Sequence, residues 1–404
     1  MVKTIRKMWP LLVLGFLVNT AYSVMWPLTT IYLHNDLHLN LVVSGWILAA
    51  YSGCNVLGGY LGGELGDRWP VKRVGQVTLA ALILDAGVGF WWNDLVGYPL
   101  VLVIFGLLTG IMLTLVTTVT AQLSHADSRL FNLLYIFINL GLVVGTASIG
   151  ILFRKSLQPI FAMLVVCYLL AIVLWHRYAE RFAVPRQAVA TSATAAQGAG
   201  TATRPHRARY RLAPVTLVIL LLSLVLMWGT YAQWMSNVSV YIQDVGLSIK
   251  IYSYLWVYNG LLLIVVQALM AKLSRLGVLP WQILGGLLAI GGSFLLLSSA
   301  HQVGTLFVAM TLLTVGEAVY VPGVPALINA YTVGNEGKYQ GLVNAFSSLG
   351  KALGPVFGGW LVGQAAGFVG LFWVCAVIDG LVVVVVALGV SPLMRRYRNN
   401  LRKS

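Results

Sequence analysis

The sequence predicts an all-α membrane protein of about twelve transmembrane helices in two six-helix, pseudo-symmetric halves, and three observations predict it. Of 404 residues, 59% are hydrophobic and only 9% charged, with a mean hydropathy of +0.86; a soluble chain carries about 25% charged residues. Apolar runs of roughly 20 residues, each able to cross about 30 Å of hydrocarbon, follow one another along nearly the whole chain. A single long polar stretch divides these runs into two sets of similar length.

The first run follows Lys3, Arg6 and Lys7 and continues to Leu33 without a small-residue cleavage site, so it reads as a span rather than a signal peptide. Spans of the first half fall at roughly 9–33, 41–65, 74–93, 98–123, 130–152 and 158–177. Those of the second half fall at roughly 213–242, 247–271, 281–300, 304–330, 338–364 and 368–391. Residues 1–178 form the N-terminal bundle, 179–211 a linker rich in Ala, Thr, Gln and Arg, and 212–404 the C-terminal bundle with a short basic tail. Of the 26 lysines and arginines, all but Arg154, Lys155, Lys250 and Lys351 fall on one side of this arrangement. Cationic loops stay in the cytoplasm during insertion, so both termini and the linker are cytoplasmic in a cell membrane.

The formal charge of +15 raises nucleic-acid binding, but these cations lie in short loops between apolar runs, where they set topology. Cys54, Cys167 and Cys375 sit inside apolar runs without metal or redox spacing, and the six histidines are scattered, so neither a metal nor another cofactor is expected. No phosphate-cradling glycine loop ending in Lys-Ser or Lys-Thr appears. An enzyme needs a nucleophile with its base, and a channel needs rings of filter residues; two internal halves instead suit a self-contained carrier acting as a monomer.

After the second span comes Gly63-Glu64-Leu65-Gly66-Asp67-Arg68-Trp69-Pro70-Val71-Lys72-Arg73. Gly63 would let helices approach closely, and Asp67 beside Arg68 and Lys72 suits a charge latch made and broken between states; the alternative is a solvated turn that sets topology. In the eleventh span, Gly350-Lys351-Ala352-Leu353-Gly354-Pro355-Val356-Phe357-Gly358-Gly359 fits GxxxGPxxGG. Its small residues one turn apart suit close helix packing, with Pro355 bending the helix, and Gly141, Gly145 and Gly150 echo it in the fifth span. The charged turn resembles the major facilitator signature GxLaDRxGRK, with Pro70 and Val71 in place of the usual glycine and first basic residue. The glycine-rich segment of span eleven is similar to the motif of drug and proton antiporters, which that family places in span five.

Charges inside spans are costly unless paired, hydrated or neutralised. Asp85, Glu317, Lys351 and Asp379 all fall near mid-depth. Glu317, in Gly316-Glu317-Ala318-Val319-Tyr320-Val321-Pro322, resembles the span-ten glutamate of LmrP-like multidrug transporters of Gram-positive bacteria. That resemblance implies proton coupling at Glu317; the other reading is a fixed ion pair with Lys351 on the next helix. Asp85 and Asp379 are further proton-coupling candidates, with a hydrogen-bonded carboxyl in helix packing as the alternative. Lys351, if not neutralised by Glu317, favours anionic solutes.

Aromatic and amide residues gather in spans seven and eight, among them Tyr231, Trp234, Asn237, Tyr254 and Tyr258. With Asn19, Tyr22 and Trp26 of span one and Tyr320 of span ten, they form either a solute pocket of stacking and cation–π contacts or an interfacial belt. The resemblance implies a secondary transporter that exports small amphipathic organic compounds against protons by alternating access. An uptake symporter or uniporter for a sugar, peptide or metabolite on the same fold is the alternative. The expected partners are the solute, protons and the bilayer, with no nucleic acid.

Overall fold

The computed structural model describes residues 2–124, 128–153, 156–182, 213–273, 279–331, 336–364 and 366–401. Among them are thirteen α-helices: α1 Val2–Ile31, α2 Leu41–Arg68, α3 Val71–Trp91, α4 Gly97–Ser124, α5 Ser128–Leu152, α6 Gln158–Phe182, α7 Pro214–Met235, α8 Asn237–Asp244, α9 Ile249–Leu273, α10 Leu279–Leu297, α11 Val303–Tyr331, α12 Glu336–Val362 and α13 Gly367–Leu401. The fold is that of two six-span halves, with α7 and α8 forming one span. Ten of these spans are long and apolar enough to cross a bilayer. The other two are α5, whose described apolar stretch Ile136–Leu152 is shorter, and α12, whose glycines and polar residues dilute it. The linker expected at 179–211 lies almost wholly outside the described residues, as do residues 402–404 of the basic tail.

Local chemistry sets where helices begin and break. The Asn40 Oδ1 accepts the backbone N–H of Val43 at 2.8 Å, a cap that starts α2. Pro70, with φ −57°, opens α3. In the loop after α3, the Asp94 carboxylate accepts N–H groups from Gly97 at 2.8 Å and Val96 at 3.1 Å, which hold it below the usual carboxylate range and start α4. The seventh span, expected as one run, breaks at Ser236 (φ −115°, ψ −74°). A break frees backbone carbonyls, and the Tyr252 hydroxyl bonds those of Trp234 (3.2 Å) and Met235 (3.0 Å).

The chain divides into two compact units: Met1–Leu28 with Ala50–Pro205, and Thr29–Ala49 with His206–Ser404. Within the first, α1 lies on α5 where Gly145 meets the backbone of Thr20. In the same unit α2 meets α4 where the Asn55 amide donates to the Gly106 carbonyl at 3.1 Å, and α3 meets α6 where the Trp175 indole donates to the Lys72 carbonyl at 2.9 Å. The second unit repeats these pairings. There α7 lies on α12 through Gln233 and the Gly354 carbonyl (2.8 Å), α9 on α11 through Tyr258 and Thr311 (2.9 Å), and α10 on α13. Outward faces stay apolar, as at Leu84, Val173, Leu222 and Leu388, while polar side chains turn into each unit, the arrangement a hydrocarbon surround selects.

The GxxxGPxxGG segment is a packing surface. A side chain at Gly354 would strike the backbone of Gly229, and one at Gly358 would strike the amides of Gln233 and Asn237. The next glycine, Gly359, meets the backbone of Leu41 in the same unit. Gly350 abuts Val225 and Trp228. Gly63 does not mediate the close approach expected of it, because the space beside it is open; Gly62 and Gly58, on the adjacent face of α2, take that role against Ile111 and Leu107 of α4.

Candidate functional site in the second unit

Four helices of the second unit bring one carboxyl and one ammonium together. Glu317 of α11 accepts hydrogen bonds from the Tyr231 hydroxyl of α7 at 2.9 Å and from the Asn259 amide of α9 at 3.2 Å. Asn259 is buried and its amide also donates to Thr314 at 2.9 Å, one turn before Glu317 on α11, so the amide is fixed in the orientation that serves the carboxyl. Tyr231 is positioned by rings on either side, Trp228 at 5.0 Å and Trp256 at 6.3 Å.

Lys351 of α12 does not form the ion pair with Glu317 that the sequence left open. No N–O approach within 4 Å joins them among the described residues; the Lys351 ammonium lies over the Trp228 ring, 3.7 Å from its centroid. Gly350, the preceding residue, brings α12 against α7 at this ring. The charges remain within electrostatic reach of each other. Both side chains are half-buried. A carboxyl held by two neutral donors can gain or lose a proton without breaking a charge pair, and a cation resting on an aromatic face can exchange that contact for an anionic group.

Asp379 and Asp85 are buried apart from this group. Asp379 of α13 is 0% exposed; its Oδ1 accepts from the Thr230 hydroxyl at 3.0 Å and its Oδ2 has no hydrogen-bond partner among the described residues. Asp85 of α3 is also buried, with Oδ2 likewise without a partner, on the side of α3 that faces Tyr168 of α6.

The remaining expected residues scatter. In the first unit, Asn19 donates to the Gly15 carbonyl of its own helix at 3.1 Å, and Tyr22 and Trp26 both pack on Tyr51 at 6.2 Å. In the second, Trp234, Asn237 and Tyr320 occupy core rather than solute-facing positions. All three are buried, and their polar atoms engage Ser293 (3.3 Å), Gln233 (2.6 Å) and Ser223 (2.7 Å). Tyr258 bonds Thr311, whereas Tyr254, four residues earlier, stays 60% exposed. In the charged turn, the ion pair seen is Glu64 with Arg68 at 2.7 Å, and Arg73 stacks over Trp69 at 5.7 Å. The Asp67 side chain lies outside those described, and Lys72 contributes its carbonyl to Trp175.

Sequence reading missed Trp228 and Thr230. Trp228 is three residues before Tyr231, on the same helix face, which is a readable signal. Its pairing with Lys351 lies more than a hundred residues away and leaves no local mark.

The profile described as Major Facilitator Superfamily matches residues 11–299 and 260–403. An uncharacterized MFS-type transporter, YttB of Bacillus subtilis (strain 168), is 32% identical over 361 residues, 87% of each chain. A second protein of that organism, the uncharacterized MFS-type transporter YqjV, is 21% identical over 359 residues, covering 87% of this chain and 85% of its own. Among solved structures, a POT family transporter in complex with a thioalcohol conjugated peptide superposes with TM-score 0.77 at 12% identity over 96% of each chain. A POT family transporter in complex with 5-aminolevulinic acid gives 0.76 at the same identity and coverage. At such identities the likeness is one of fold.

Proposed function

Because the chain belongs to the Major Facilitator Superfamily, we propose that this multi-pass membrane transporter couples proton movement to the efflux of a small amphipathic organic solute by alternating access, with Glu317 as the proton carrier. The observation that carries this reading is the setting of Glu317: its carboxyl is bound by Tyr231 and Asn259, while Lys351 rests on Trp228. A carboxyl in a fixed ion pair would stay charged in every state, whereas one held by neutral donors is free to change its protonation as those donors move. The rings of Trp228, Tyr231 and Trp256 are buried as they stand and become the stacking surface for an amphipathic solute when the helices open, and Lys351 occupies the face of Trp228 that a cationic solute would claim. Asp67, Arg68 and Lys72 serve as the cytoplasmic latch, and the protein works in the cell membrane as a monomer with both termini in the cytoplasm.

The separate carboxyl and ammonium also support a second reading: uptake of a dipolar metabolite or peptide whose amine meets Glu317 and whose carboxylate meets Lys351. Solute-driven proton movement in proteoliposomes separates the two. Under the first reading, protons move opposite to the solute and Glu317→Gln abolishes this while solute binding persists. Protons and solute moving in the same direction would establish the second. Transport indifferent to both the proton gradient and the substitution would remove proton coupling altogether.

A further inference from the structure

The proposed proton carrier leaves a second buried carboxyl of the same unit unused. We propose that Asp379 is a second proton-binding site, closed to solute, whose occupancy is tied to that of Glu317 through α7. The link to transport rests on the proton-coupled reading above; the site itself does not.

Asp379 has no exposed surface, and one hydroxyl, from Thr230, is the single partner of its two carboxyl oxygens among the described residues. An anion so placed in the hydrocarbon layer lacks compensation, whereas the carboxylic acid, accepting from Thr230 at Oδ1 and carrying its proton on Oδ2, leaves one neutral O–H unpaired among the described residues, a smaller cost than a bare charge. Among the described residues no cation faces it. From α7 comes Thr230; from α10 comes Gly291, whose Cα hydrogen points at the Asp379 Cβ, and that helix carries no titratable residue. Tyr320 of α11 and Cys375 of α13 itself are the titratable neighbours, and Tyr320 is bonded to Ser223. The cation of α12, Lys351, lies on Trp228. Binding and release involve only the O–H bond, with the proton taken from and returned to water.

The tie to Glu317 is the adjacency of Thr230 and Tyr231. Successive residues on a helix point about 100° apart, so α7 holds Asp379 with one residue and Glu317 with the next. A turn of α7 that withdraws Tyr231 from Glu317 displaces Thr230 from Asp379 as well. One turn along α11 from Glu317, Tyr320 bonds Ser223 of α7, so the two helices are fastened at two levels and move as a registered pair.

The test is infrared spectroscopy of the full-length protein in lipid nanodiscs across a pH series, without solute, on wild type, Asp379→Asn, Glu317→Gln and Thr230→Val. A carboxylic C=O component is expected at neutral pH in the spectra of wild type and of Glu317→Gln and missing from that of Asp379→Asn, read as the difference from wild type so that the Asp85 band cancels. Thr230→Val, which keeps the carboxyl and the side-chain shape, should shift the Asp379 component and also shift the pH at which the Glu317 band disappears. The last variant reads the tie even where Asp379→Asn folds poorly. A wild-type minus Asp379→Asn difference spectrum, in which the bands of Asp85 and Glu317 cancel, with no carboxylic C=O component at neutral pH overturns the site; a Glu317 titration identical in Thr230→Val and wild type overturns the tie. Proton movement untouched by Glu317→Gln would sink the transport reading alone, since these bands are recorded without transport.

Discussion

The second unit gives Glu317 and Lys351 different partners, and substitutions at single residues separate their roles. Tyr231→Phe removes one donor from Glu317 and leaves the ring between Trp228 and Trp256. A hydrogen bond to a charged group contributes about 1.5–3 kcal/mol, so the initial rate of solute-driven proton movement should fall about 10- to 100-fold with little change in thermal stability. Lys351→Gln clears the face of Trp228. Cation–π contacts are worth about 0.5–2 kcal/mol, so cationic dyes should bind about 2- to 30-fold more tightly and anionic ones more weakly, as read by fluorescence titration. Equal effects on both dye classes would mean that Lys351 acts on the fold rather than on the solute. Neither outcome follows from the sequence, in which nothing local joins Trp228 to Lys351.

At the scale of helices, small residues decide which pairs can touch. The eleventh-span motif was legible as a packing surface, and it packs: Gly354 leaves room for the backbone of Gly229 and for the Gln233 amide that bonds its carbonyl. Gly354→Leu should therefore separate α7 from α12 at a cost of about 1–3 kcal/mol or more, lowering the melting temperature in detergent and disordering the Glu317 site that both helices build. Gly63→Ala is the contrasting case. The space beside Gly63 is open, so the substitution should leave stability unchanged or raise it by up to about 1 kcal/mol through helix propensity. A large loss of stability in Gly63→Ala would show that the charged turn needs the flexibility of glycine there. The break at Ser236 had no signal in the apolar run around it, because the hydroxyl that stabilises it comes from Tyr252, in another helix.

For the whole molecule, the bias of lysines and arginines predicts an orientation, with both termini cytoplasmic, that a labelling experiment reads directly. With the native cysteines replaced by serine, a single cysteine at Ser404 should react with a membrane-impermeant maleimide only after the membrane is opened, and one at Asn93 should react in intact cells; the reverse would invert the topology. Bulk composition and local pattern did not show the break of the seventh span or the open space beside Gly63, but they were enough to read a helical membrane fold in two six-span halves and the glycine face of the eleventh span. These are properties of segments of about 20 residues exchanging water for hydrocarbon, and they need no knowledge of neighbours. Partners, by contrast, emerged from the packed helices. Packing joined Glu317 to Tyr231 and Asn259, Lys351 to Trp228 and Asp379 to Thr230, and it turned Trp234 and Tyr320 into the core while leaving Tyr254 exposed. The reason is physical: a polar group inside the hydrocarbon must find its hydrogen bonds on other helices, and which groups meet depends on rotations and depths set by packing along entire helix pairs.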